Sequence, residues 1–158
     1  MLGFNPHALP LTAKSEALRN LPGVYFNLRN LKAPATYDGP FGEVLQREVT
    51  KKLRHAGIRV LSKAEHQLVP GQPQLNIYFS NTNPTTGCRF SIYASLTQTV
   101  LLSRNHIVKF KAGTWGTSGG FTLDAPHRRE FDAILHVVDI FIRDYWKANS
   151  TPQAVAGQ

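Results

Sequence analysis

Residues 131–146 read FDAILHVVDIFIRDYW, and this run decides the fold. Phe131, Ile134, Leu135, Val138, Phe141, Ile142 and Tyr145 recur at the i, i+3, i+4, i+7 spacing of one helical face. Asp132, His136, Asp139, Arg143 and Lys147 recur on the opposite, water-facing side. Asp124 with Pro126 behind it is a start signal, and Asn149 followed by Ser150 a stop. A helix this apolar on one side must lie on another layer.

The chain ahead of that helix supplies the layer. Val24, Phe26 and Leu28 alternate with Tyr25, Asn27 and Arg29, the period of a strand with one buried face. After Asp38, Gly39 and Pro40, a helix is expected over Phe41–Ala56. Its apolar stripe is Phe41, Leu45, Val49, Leu53 and Ala56, and Gly57 stands at the left-handed C′ position. Ile58, Val60 and Leu61 restart a strand, which makes a β-α-β unit with parallel strands. Beyond a polar connection, Leu75, Ile77 and Phe79 alternate, and after a turn at Asn81–Gly87 so do Phe90, Ile92, Ala94 and Leu96. β-favouring residues continue to Leu102, longer than one regular strand, so a bend or bulge is expected near Gln98. Arg104-Asn105 is a tight-turn signal. Val108, Phe110 and Ala112 read as the inward face of the last strand, with Lys109 and Lys111 outward and Gly113–Gly120 as a glycine-rich connection. The expected order is β-α-β-β-β-β-α. This is an α+β fold, a two-layer α/β sandwich with a mixed, mostly antiparallel sheet and both helices on one face. Residues 1–20 read as a loose arm with a short helix near Leu11–Leu18. Residues 21–149 read as one domain and 150–158 as a frayed tail.

Composition bounds the function classes. The 158 residues are 42% hydrophobic and 10% aromatic, the composition of a folded domain with an ordinary core. No run approaches the ~18 apolar residues of a membrane-spanning helix. One cysteine, Cys88, excludes an internal disulfide framework. The six histidines are scattered, none four residues from another histidine or a cysteine, so no metal site is assigned. The opening MLGFNPHALPLTAKSEAL has no basic start followed by an apolar core. On that basis the expectation is cytoplasmic, or periplasmic and envelope-associated if a signal has been removed.

The net charge of +8 favours anionic partners. Arg47, Lys51 and Arg54 form one stripe of the first helix, with Arg59 and Lys63 beyond, a set able to track phosphates. Tyr25, Tyr78 and Tyr93 lie on the outward phase of their strands and, with Trp115, are expected to share the sheet face away from the helices. Such a face suits a partner protein or a second copy. Gly116-Thr117-Ser118-Gly119-Gly120 fits the G-x-S-x-G pattern of a nucleophile elbow, with Asp124, His127 and His136 following. The same glycines could cradle a phosphate, without the Lys-Ser/Thr ending of a P-loop. No cofactor-binding pattern is assigned.

The phrases SLTQTVLLSR (95–104), AGTWG (112–116) and VVDIFIRDYWKAN (137–149) resemble those of uncharacterised bacterial proteins, cyanobacterial ones among them. In arrangement the chain is similar to the small domains of envelope proteins such as the TolB amino-terminal domain and LptE. That resemblance implies a non-catalytic scaffold acting through protein contacts in a cell envelope. The leading expectation is therefore a non-enzymatic binding or assembly module. The alternative is a basic module that binds nucleic acid or anionic surfaces through its first helix. The remote alternative is a small serine hydrolase using Ser118.

Overall fold

A computed structural model describes residues 13–29, 41–82, 89–122 and 128–150. The elements in chain order are α1 (Ala13–Glu16), β1 (Tyr25–Arg29), α2 (Phe41–His55), α3 (Lys63–Leu68), β2 (Gln74–Thr82), β3 (Arg89–Leu102), β4 (Asn105–Thr122) and α4 (Arg128–Ser150). The four strands form one sheet in the order β1-β2-β3-β4. β1 runs parallel to β2, and the remaining pairs are antiparallel. The α+β class is present, and the described strands and two long helices follow the expected order except at Ile58–Leu61. The two long helices pack on one face of the sheet and on each other.

The apolar periods explain the layers. Phe26, Leu75, Ile77, Ile92 and Leu96 project from the inner sheet face. Phe41, Leu45, Val49 and Leu53 of α2, with Ile134, Val137, Val138 and Phe141 of α4, meet them, and all are buried. Each such side chain removed from water contributes on the order of 1.5–3 kcal/mol. The buried stripe of α4 is turned slightly from its expected line. Ala133, Val137 and Ala148 are buried, whereas Phe131, Leu135, Ile142 and Tyr145 pack at its margins. α2 is tied to α4 by Lys52 Nζ on Asp139 Oδ1 at 2.8 Å and by Trp146 Nε1–H donating to the Ala56 carbonyl at 2.9 Å. The start signals Asp124 and Pro126, the residues Asp38 and Gly39 ahead of α2, and Cys88 lie outside the described residues.

Several expectations are corrected. The strand at Ile58–Leu61 contracts to one parallel bridge, Val24↔Val60. The cause lies immediately downstream: the Ser62–Glu65 capping box starts α3 at Lys63 and leaves room for one rung. The crossover partner of β1 is β2 instead. Within the arm expected to be loose, Leu18 is fully buried. Asn149 holds that segment by donating to the Leu18 carbonyl and accepting from the Asn20 N–H. Gly113–Gly120, expected as a connection, lies in the second half of the 18-residue β4. The bulge expected near Gln98 is present as a register shift between Leu96 and Thr97. Leu96 pairs with Trp115 and Thr97 with Gly113, so Thr114 is the extra residue. Its hydroxyl accepts from Gln98 Nε2 at 2.8 Å.

Candidate functional site

Strand alternation places Tyr25, Asn27, Gln74, Asn76, Tyr78, Tyr93, Ser95 and Ser118 on the sheet face opposite the helices. Much of this face is closed. Gln74, Asn76 and Ser95 are buried, with Gln74 Nε2 donating to Asn76 Oδ1 at 2.8 Å and Asn76 Nδ2 to Thr97 Oγ1 at 3.1 Å. Tyr25 lies against the ring of the buried His66, whose Nε2 sits 2.8 Å from the Gln72 carbonyl. Of the four aromatics expected to share the face, Tyr78 and Tyr93 are brought together, stacked with ring centroids 5.9 Å apart. Tyr93 is 47% exposed.

Trp115 is on the other side. Because Thr114 is an extra residue, the phase of β4 shifts by one, and Trp115 faces the helices. It is 4% exposed, packs edge-on against Phe141 at 5.1 Å and donates its indole N–H to Asp144 Oδ2 at 3.1 Å. Beside Tyr93 runs a groove of about 310 Å³, lined by Gly113, Gly116 and Ser118 of β4 and by Lys14 of α1. Gly116 leaves room for the tyrosine: a Cβ there would stand 2.9 Å from the Tyr93 hydroxyl. β4 is the end strand of the sheet, paired with β3 along one side.

The cationic stripe is partly assembled. Arg47, Lys51, Arg54 and His55 line one groove of about 660 Å³ along the outer face of α2. Arg47 also lies 3.8 Å from Glu48, and Lys52 is committed to Asp139. Arg59 and Lys63 do not line this groove. Arg59 pairs with Glu65, and Lys63 opens α3. The backbone N–H of Ser62, its hydroxyl and the Arg59 guanidinium together hold the Glu65 carboxyl at about 2, well below its ordinary 4.5.

No elbow forms at Ser118. That chemistry needs a sharp strand-to-helix turn. Ser118 lies in extended β4, paired opposite Tyr93, and the glycines around it accept the strand conformation against β3. His136 is exposed on α4, across the sheet from Ser118, and Asp124 and His127 lie outside the described residues. Among the described residues, no group of three or more His, Cys, Asp or Glu side chains is placed to hold a metal ion. No described helix is long and apolar enough to cross a membrane.

One feature had a weak signal in the sequence. Val108 and Phe110, expected to be inward, are 43% and 45% exposed. β2 ends its pairing at Gln74↔Thr97, so the ends of β3 and β4 extend past the sheet as a two-stranded ribbon without the helix layer. The readable signal was the absence of any Asp or Glu between Glu65 and Asp124. No protein-family model matches the chain, and no curated protein matches it either.

Proposed function

We propose that the protein is a non-enzymatic binding or assembly module that engages a protein partner along β4 at Gly116 and Ser118 and on the adjoining Tyr93 shelf. The observation that carries this reading is the conjunction of an end strand, a glycine-lined groove beside it and a half-exposed Tyr93 backed by Tyr78. An unpaired strand edge offers a row of N–H and C=O groups to an incoming extended segment, and a rigid tyrosine adds contact area at low entropic cost. A photo-crosslinking amino acid in place of Tyr93 should give one discrete adduct in extract of the source cells, competed by unlabelled protein. The same group in place of the half-buried Glu48 on α2 should give none. Absence of any adduct at Tyr93, to another protein or to a second copy, would refute the proposal.

A second reading rests on the α2 groove, where Arg47, Lys51 and Arg54 converge with His55. Three cations along one helix face can follow a phosphate chain. Binding to generic duplex DNA or RNA should then fall steeply with salt and weaken in Arg47→Gln/Lys51→Gln/Arg54→Gln.

A further inference from the structure

The ribbon formed by the ends of β3 and β4 belongs to neither surface above. Its base is fastened to the body. Gln98 Nε2 donates to the Ala17 carbonyl at 2.9 Å and to Thr114 Oγ1, and the Thr99 N–H donates to the Gly71 carbonyl at 2.7 Å. Past that base the strands pair with each other, Val100↔Phe110 and Leu101↔Lys109, and turn back between Leu102 and Asn105. Three paired residues, Val100, Leu101 and Leu102, at about 3.4 Å each make a projection roughly 10 Å long before the turn.

Its surface is unusual in two respects. Of the seven large hydrophobic side chains exposed among the described residues, four are here: Leu101 (53%), Ile107 (88%), Val108 and Phe110. Interleaved with them are three exposed cations, Arg104, Lys109 and Lys111, and no carboxylate. A two-stranded ribbon alone is marginal in water, and concentrated apolar exposure at its end marks a contact surface.

We infer that this ribbon docks on an anionic lipid surface, its aliphatic end entering the headgroup–acyl boundary while Arg104, Lys109 and Lys111 meet the headgroup phosphates. Charge and chemistry choose this occupant over the others. A second copy would bring the same three cations against these three, with no carboxylate in either ribbon to answer them. Lysines on an end strand also oppose edge-to-edge pairing. A nucleic acid would satisfy the cations, but Leu101, Ile107 and Val108 offer nothing to bases or phosphates, and Phe110 alone could stack. A bilayer surface serves both groups at once, because long cationic stems lie along apolar surface while their heads stay with the anionic headgroups.

The test uses the full chain and vesicles of phosphatidylcholine, alone or mixed with phosphatidylglycerol, with co-sedimentation as readout. Wild type should bind the mixed vesicles in a salt-sensitive way and leave pure phosphatidylcholine largely unbound. Lys109→Gln/Lys111→Gln should weaken binding about twenty-five-fold, on the order of fivefold per cation. Leu101→Ser/Ile107→Ser should weaken it by at least tenfold, following the loss of buried apolar area. Arg47→Gln/Lys51→Gln/Arg54→Gln should change it less than about twofold, which separates the ribbon from the α2 groove. As a second measurement, Ile107→Trp should be quenched by brominated lipid, whereas Leu68→Trp on α3 should not. Three outcomes would overturn the inference: no binding to mixed vesicles at low salt, binding lost in the α2 variant and kept in the ribbon variants, or a ribbon-dependent dimer in analytical ultracentrifugation without vesicle binding.

Discussion

The indole N–H of Trp115 in β4 donates to the Asp144 carboxylate in α4 at 3.1 Å, while the Trp115 ring packs edge-on against Phe141. This pair fastens the helix layer to the end strand of the sheet. Asp144 is held in place by Arg143, whose Nε and terminal nitrogen reach its other oxygen at 3.1 and 2.9 Å. Trp115→Phe keeps most of the ring contact and removes the donor, with an expected cost of about 1 kcal/mol. Trp115→Ala leaves a cavity beneath α4, with an expected cost of about 3–5 kcal/mol. Denaturant unfolding of the two variants beside wild type measures both. Equal losses would mean that the hydrogen bond, not the packing, dominates.

Thr114 decides which way that indole points. Deleting it removes the bulge and forces either Trp115 or the residues beyond Gly113 onto the wrong face. The deletion should abolish cooperative unfolding and the near-ultraviolet dichroism of the buried indole. Thr114→Ala retains the extra residue and gives up hydroxyl contacts with Gln98 and the Leu96 carbonyl, so a loss of about 1 kcal/mol is expected. A deletion variant that unfolds as cooperatively as Thr114→Ala would show that the bulge does not set the register.

Gly23 has φ +143, and a Cβ there would lie 2.7 Å from the Arg59 carbonyl oxygen. That oxygen accepts from the Val24 N–H at 2.8 Å, beside the single bridge that joins the start of β1 to the end of the α2 crossover. Gly23→Ala should therefore cost about 1–3 kcal/mol. Faster amide exchange should be concentrated at Val24 and Leu61. A variant with unchanged stability and exchange would remove the argument for close approach.

Acid should loosen α3. The Glu65 carboxyl has a folded value of about 2 against an ordinary 4.5, so folding favours its ionised form. Its stabilisation is fully present above pH 4.5 and is lost as the pH falls toward 2. Unfolding midpoints of wild type and Glu65→Gln should differ most at neutral pH and converge across that window. A gap that stays constant through it would contradict the role given to the Ser62 and Arg59 contacts.

Much of the architecture is legible in local pattern. The stripe Phe41, Leu45, Val49, Leu53 and the run from Phe131 both give helices, and the alternations through Phe26, Ile77 and Ile92 give strands. Gly57, read as a C′ residue, has φ +75. The convergence of Arg47, Lys51 and Arg54 follows from helical spacing alone. Trp115 departs from the expected aromatic face, because one extra residue inverts the phase of every side chain beyond it.

The amino-acid sequence by itself determined which segments bury a face and with what period, because that depends on neighbours a few residues apart. Tertiary structure alone decided where pairing stops. It reduced Ile58–Leu61 to one rung, extended β4 through Gly113–Gly120, turned Trp115 inward and left Leu101, Ile107, Val108 and Phe110 outside the core. Those outcomes depend on which strand lies alongside and where it ends, a relation between residues far apart in the chain that no local period encodes.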